Sequence, residues 1–253
     1  MKDLIKRILS KTNYRISKFD KDYITYPFAQ TNEGILTNLL SENKISITFD
    51  VGANVGQWAN DLRISGYKHR IISFEPLQKA FKILSSTCLL DDLWSSHNYG
   101  LGDTDGVSEI NVSRNSVSSS LLPMSKTHLE AEPKSSFYST EKIKVHKLDT
   151  IYAKFIKDSD NVFLKIDTQG FEKKVLDGAN SLLKRTAILQ LELSFQSLYD
   201  GENDFFHMKS ILEKLGFLLY HIQDGFRHSQ TKELLQVDAI FINKACNNKK
   251  NNF

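Results

Sequence analysis

Ile45-Ser46-Ile47-Thr48-Phe49-Asp50-Val51-Gly52-Ala53-Asn54-Val55-Gly56-Gln57 is the stretch that decides the fold class. A short apolar run ends in an acid, a turn carrying two glycines and an asparagine follows, and a helical pattern then begins. The motif starts again downstream, where Arg70-Ile71-Ile72-Ser73-Phe74 closes on Glu75. A strand that turns tightly into a helix leaves backbone N–H groups free at the turn. Gly52 and Gly56 let the backbone come close to a ligand, and asparagine is the non-glycine residue that best tolerates the left-handed conformation. Strand, glycine-rich turn, helix and strand in this order open a parallel α/β sheet with a pocket beyond its strand ends.

Outward from that stretch the alternation continues. Residues 45–49, 70–74, 95–99, 162–166, 188–193, 217–222 and 237–242 read as strands, with helical patterns at 57–65, 78–90, 172–183 and 205–215. Such alternation implies a mostly parallel seven-stranded sheet with helices on both faces. The last two strands are joined by Gln223-Asp224-Gly225-Phe226-Arg227 without a helix, so a hairpin should put one antiparallel strand into the sheet. One region interrupts the pattern. The alternating runs 107–112 and 142–146 read as an added β-hairpin, and the serine-rich stretch 113–140 between them as a mobile loop. A loop of that length is either a lid over a binding site or a disordered insertion.

At 253 residues the chain can bury one sizeable core. Its net charge of +3 is uneven, because residues 1–18 carry +5 and the remainder −2, which argues against a nucleic-acid-binding body. The expected organisation is a basic helical segment at 1–40, an α/β domain at 41–243 and an Asn/Lys-rich frayed tail at 244–253. Met1, Leu4, Ile5, Ile8 and Leu9 share one helical face. That stripe is expected to dock on the domain, and peripheral membrane contact through residues 1–18 is the most it offers otherwise. No apolar run approaches the roughly 18 residues that a membrane span needs. Cys88 and Cys246 lie far apart without metal-ligand spacing and point to free thiols in a reducing, cytoplasmic setting.

The pocket chemistry follows from the strand tips. Glu75 can accept both hydroxyls of a ribose. A dinucleotide fingerprint would need a third glycine or an alanine, but Asn54 replaces the middle glycine and Gln57 stands where the last would be. Asp50 before the turn would repel a pyrophosphate yet could hold an ammonium or a ribose hydroxyl. These residues favour S-adenosylmethionine, cationic and free of phosphate, over NAD. They leave open a nicotinamide-dependent oxidoreductase, a nucleoside-binding module without turnover, and a ligand-free strand–turn–helix.

Lys165 and Asp167 lie two apart on one strand face, and Gln190 and Glu192 do the same on the next strand. Charged residues inside apolar strands are costly unless paired or used. Asp167 is the expected catalytic base, with Lys165 and Glu192 beside it. The alternative is an ion pair of Lys165 with Asp167 or Glu192 that only organises the sheet ends. A Mg²⁺ ion on Asp167 and Glu192 would be chemically sensible, but strand-tip carboxylates also act as plain bases, and no metal is assigned. No two histidines have metal-ligand spacing. His146 could reach the pocket mouth as a base, and His128 lies in the long loop, though each reads by itself as a surface or packing residue.

The ordered set Phe49-Asp50-Val51-Gly52-Ala53-Asn54-Val55-Gly56-Gln57, Phe74-Glu75-Pro76, Gly100-Leu101-Gly102-Asp103, Lys147-Leu148-Asp149-Thr150, Leu164-Lys165-Ile166-Asp167-Thr168-Gln169-Gly170-Phe171-Glu172 and Val175-Leu176-Asp177-Gly178-Ala179 resembles the FkbM family of S-adenosylmethionine-dependent methyltransferases. The resemblance runs over about residues 49–243. It implies the class I methyltransferase fold, Rossmann-like with a seven-stranded sheet, and methyl transfer to an oxygen of a sugar, glycan or specialised metabolite. By position it places Asp50, Gly52, Asn54 and Gly56, with Ala53 and Gln57 of the same turn, on the methionine side. Glu75, with Pro76 beside it, would take the ribose, Gly102 and Asp103 would lie by the adenine, and Asp167 would stand at the reacting end. Thr168 stands where many members have valine. The acceptor is then a small molecule or glycan, with the oligomeric state unassigned.

Overall fold

The computed structural model describes residues 30–247, so the basic stripe at 1–18 and the last six residues of the tail lie outside the described part. The first described element is helix α1 (Asn32–Glu42), capped by Thr31, whose side chain accepts the Gly34 N–H. Its buried Leu36, Leu39 and Leu40 pack with Phe163, Ile188 and Ile240 of the central sheet. Helix α1 is therefore part of the domain body, and a boundary at residue 40 cuts through it.

The main sheet comprises β1 (Ile47–Val51), β2 (Arg70–Phe74), β3 (Trp94–His97), β7 (Val162–Ile166), β8 (Thr186–Ser194), β9 (Phe217–Asp224) and β10 (Gln236–Asn243). Their spatial order is β3-β2-β1-β7-β8-β10-β9. All pairings are parallel except that β10 runs antiparallel to both β8 and β9. The connecting helices include α2 (Gln57–Ile64), α3 (Gln78–Cys88) and α8 (Phe205–Lys214). Strand order reverses between β1 and β7, which opens a crevice beyond their carboxyl ends. Strands β1 and β7 are buried throughout, as expected for central parallel strands covered on both faces.

Local differences from the sequence pattern have identifiable causes. Strand β1 runs to Val51, so Asp50 lies inside the strand rather than beyond its tip. The helical pattern at 172–183 divides into α6 (Glu172–Asp177) and α7 (Asn180–Leu183). The break falls at Gly178, where a Cβ would lie 1.9 Å from the Gly102 carbonyl oxygen.

A second, three-stranded sheet holds β4 (Gly100–Leu101), β5 (Gly106–Ser113) and β6 (Phe137–His146), with β5 and β6 forming the expected hairpin. The stretch between them is not a structureless loop. It carries a 3-10 turn at Ser116–Ser118 and helix α4 (Lys126–Ala131), and it buries Ser118, His128, Ala131 and Ser135. Ala131 joins Leu198, Tyr199 and Leu235 in a small apolar cluster that fastens this cover to the domain.

Candidate active site

The turn after β1 places three residues at positive φ: Gly52 at 77°, Asn54 at 48° and Gly56 at 90°. A Cβ on Gly52 would lie 1.7 Å from the carbonyl oxygen of Asp167, so this glycine permits the tips of β1 and β7 to touch. Gly56 caps α2 and faces Leu84 and Trp94 in the core. Asn54 donates its backbone N–H to Glu75 Oε2 at 2.9 Å and its side-chain Nδ2 to the Ser116 carbonyl at 3.1 Å, tying the turn to the cover. Glu75 Oε1 accepts the Leu77 N–H at 2.8 Å. Burial pushes the Glu75 carboxyl up to about 7 despite these two N–H donors.

These residues border a cleft of about 290 Å³ beyond the strand ends. One end is lined by Asn54, Gln57, Glu75, Pro76 and Leu77, the other by Asp167, Gln169, Glu192 and Gln236. Residues 116–119, Leu121, His128 and Phe226 line it from outside the strand tips.

A polar row crosses the sheet beneath the crevice. Register pairs Asp50 with Ser73 on β2 and with Lys165 on β7, and Lys165 with Gln190 on β8. Trp94 Nε1 donates to Ser73 Oγ at 2.9 Å, and Ser73 Oγ donates to Asp50 Oδ2 at the same distance. Lys165 Nζ lies 3.2 Å from Asp50 Oδ1 and 3.3 Å from Asp167 Oδ2, with the Trp58 ring centre 5.5 Å away. Burial alone would lower the Lys165 ammonium, but Asp167, Asp50 and Asp238 outweigh it and push it up. Burial and then Asp167 and Asp238 push the Glu192 carboxyl well up, and burial with Asp167 raises Asp238 to about 6.

Asp50 and Lys165 do not line the cleft. Asp50, expected against the ligand, is enclosed because β1 extends past it, and Lys165, at 3% side-chain exposure, pairs with Asp167 from below the cleft. Asp167 does line the cleft, with its side chain 32% exposed. Ala53 and Gly56 serve the turn and its packing and lie outside the lining, whereas Gly52, Asn54, Gln57, Glu75 and Pro76 are in it. Gly102 and Asp103 are also outside. Gly102 packs against Phe171 and Val145, and Asp103 forms an ion pair with Lys174 at 2.8 Å on the surface. Glycine-acid spacing alone does not distinguish a ligand contact from this close packing of α6 on the small sheet.

Two residues emerge that spacing does not single out as site residues. Gln169, at φ 56°, donates Nε2 to Asp167 Oδ1 at 2.9 Å and to Glu192 Oε2, and its Oε1 lies 2.8 Å from the Tyr199 hydroxyl. It thus holds the two strand-tip acids in one arrangement. Its place between Asp167 and Gly170 in the turn after β7 was the available signal, but its left-handed conformation is not visible in a single sequence. Glu172 secures the same turn by accepting the Thr168 and Gly170 N–H groups, and burial raises its carboxyl to about 7. The other residue is His128, a cleft-lining histidine of the cover. Among the described residues no three His, Cys, Asp or Glu side chains converge as a metal site, and no helix is long and apolar enough to cross a membrane. Cys88 is a free thiol, and Cys246 Sγ lies 3.9 Å from the Thr186 carbonyl oxygen.

A family model described as the methyltransferase FkbM domain matches residues 50–219, which span β1 to β9 and every cleft-lining acid. No curated protein matches the sequence. Solved structures with a similar fold include magnesium protoporphyrin IX methyltransferase from Synechocystis PCC 6803 with bound SAM, at 10% identity over 96% of this chain and 97% of that one, TM-score 0.45. TehB from Haemophilus influenzae follows at 8% identity over 88% and 67%, TM-score 0.47. An rRNA methylase from Streptococcus thermophilus aligns at 10% identity over 85% and 97%, TM-score 0.44. Likenesses this distant carry no functional weight beside the family match.

Proposed function

We propose that this chain, which belongs to the FkbM methyltransferase family and is an S-adenosylmethionine-dependent methyltransferase, methylates a hydroxyl of a sugar, glycan or specialised metabolite. The observation that carries the reading is the placing of Asp167, a part-exposed carboxylate held from both sides at one end of a cleft whose other end holds Glu75. The lining suits a cationic, phosphate-free cofactor, since its charged groups are carboxyls. Glu75 would accept ribose hydroxyls with the lone pairs left by Asn54 and Leu77.

When bound, S-adenosylmethionine supplies an electrophilic methyl group on sulfur and leaves as the neutral thioether. Asp167 takes the proton from the acceptor hydroxyl as the oxygen forms its bond to the methyl carbon. Lys165 on Oδ2 and Gln169 on Oδ1 fix the orientation of that carboxylate. Glu192, half-buried beside Gln169 at the cleft wall, adds negative potential when ionised and none when protonated.

The test is transfer of labelled methyl from S-adenosylmethionine to a panel of hydroxylated acceptors, followed by mild alkali. An alkali-stable methyl ether supports the proposal. Label recovered only in alkali-labile esters or on nitrogen counts against it.

A further inference from the structure

His128 is 2% exposed, yet its ring lines the cleft and its Nδ1 has no hydrogen-bond partner among the described residues. Its ring packs 5.1 Å from Tyr199 at 82° and 5.4 Å from Phe226, with the Leu198 backbone as a weak polar neighbour. A buried polar atom left without a partner is costly, and in a native cleft the missing partner is a ligand atom or a water. Burial pushes the imidazole down to about 4, so the ring is neutral at neutral pH. A hydroxyl, donor and acceptor at once, satisfies Nδ1 in either tautomer, whereas a carboxylate or phosphate oxygen satisfies only the protonated one.

A second observation bears on charge. Among the described residues no Lys or Arg borders the cleft, while Glu75, Asp167 and Glu192 do. An anionic group on the acceptor would enter a partly desolvated space facing carboxyls, where the nearby Lys165 ammonium is buried and already paired with Asp50 and Asp167. The end near His128 instead offers the Phe226 ring, the Gln236 amide and Glu192, an apolar face beside hydrogen-bonding groups.

Resting on the O-methylation reading above, we propose that His128 marks the acceptor subsite, where its Nδ1 binds a hydroxyl of an uncharged, polyhydroxylated acceptor and the cleft rejects phosphorylated or carboxylated analogues.

The experiment uses the full chain with labelled S-adenosylmethionine and three matched sets of probes: neutral methyl glycosides, the same sugars as phosphates, and the corresponding uronic acids. Binding of S-adenosylhomocysteine is measured in parallel by calorimetry. The expected result is transfer to neutral glycosides alone. Preference for a charged set, or no transfer to any neutral glycoside while the thioether binds, overturns the assignment and leaves the cofactor reading intact. Failure to bind the thioether strikes at the cofactor reading itself. His128→Phe keeps the aromatic packing and removes Nδ1. It should leave thioether affinity and melting temperature unchanged and raise KM for the neutral acceptor roughly five- to tenfold, as loss of one hydrogen bond to a neutral group does. His128→Asn, which returns a polar atom near Nδ1, should recover part of the loss. An unchanged KM in His128→Phe overturns the role given to Nδ1.

Discussion

Asp50 and Lys165 stand opposite each other on adjacent parallel strands, both buried, with Asp50 Oδ1 3.2 Å from Lys165 Nζ. The same ammonium is 3.3 Å from Asp167 Oδ2, so one buried cation joins the core of the sheet to the cleft. Removing it leaves Asp50 charged and enclosed. Lys165→Met should destabilise the fold by about 3–5 kcal/mol, the usual result of breaking a buried pair from one side. Adding Asp50→Asn to that variant should restore part of the loss in urea unfolding. A Lys165→Met protein as stable as the parent would show that the pair is not organising the sheet.

Asp167 is the residue on which methyl transfer should depend. Asp167→Asn keeps the shape and removes the basicity, and turnover should fall by roughly 10²–10⁴, as it does when a positioned base is lost. Thioether affinity should change little and the melting temperature should fall only modestly, because Lys165 keeps Asp50 as its buried partner. Near-normal turnover in a folded, ligand-binding variant would move the proton to another group.

Gly52 tests the closeness of the strand tips. Gly52→Ala would force a side chain onto the Asp167 carbonyl at a φ of 77°. The expected cost is more than about 3 kcal/mol, combining backbone strain with a backbone clash that no rotamer relieves. Ordinary stability for this variant in urea unfolding would show that the two tips are farther apart.

Much of this site could be read in the sequence, and the failures share one cause. The strand–turn–helix, the acids Glu75, Asp167 and Glu192 and the terminal hairpin follow from local pattern, because alternation of apolar runs and glycine placement are local properties. Asp50, expected against the ligand, and Lys165, expected beside the base, stand out as charges in apolar strands, but both lie buried outside the cleft lining and paired with each other. Their depth depends on where β1 ends and on which strands become neighbours, a long-range outcome. Gly102 and Asp103 also lie outside the lining, and a glycine that admits another backbone looks identical in sequence to one that admits a ligand. The serine-rich stretch carries little apolar periodicity, so its folding over the cleft through Ser118, His128 and Ala131 rests on contacts with residues some seventy to a hundred positions later. The choice of methyl transfer over nicotinamide chemistry is confirmed by the family match at 50–219.

Stability should fall as pH rises across neutrality. Glu75 and Glu172 are raised to about 7 and Asp238 to about 6, chiefly by burial, and the folded chain therefore keeps protons that the unfolded chain has released. Folding then takes up protons, and stability declines with rising pH up to the folded-state values. His97 and His128 are lowered by burial, His128 to about 4, and their contribution is present above the ordinary histidine value and lost as pH falls below it. The two effects oppose each other below about pH 6.5, whereas above it the carboxyls act alone. Between about pH 6.5 and 7.5 the ligand-free protein should lose roughly 1 kcal/mol, read as a falling melting temperature. A melting temperature that rises over this interval would mean that the buried carboxyls are already ionised.

The most direct test of the whole account is calorimetric titration of S-adenosylhomocysteine into the parent protein, Glu75→Ala and Asp103→Ala, with melting temperatures as a control for folding. Glu75 lines the cleft and offers charge-assisted acceptors to the ribose, so its loss should weaken binding by roughly 1.5–3 kcal/mol. Asp103 lies on the surface with Lys174, outside the cleft, and its loss should leave the affinity unchanged. Equal affinities for the parent and a folded Glu75→Ala protein, or a loss confined to Asp103→Ala, would contradict the placement of the cofactor in this cleft.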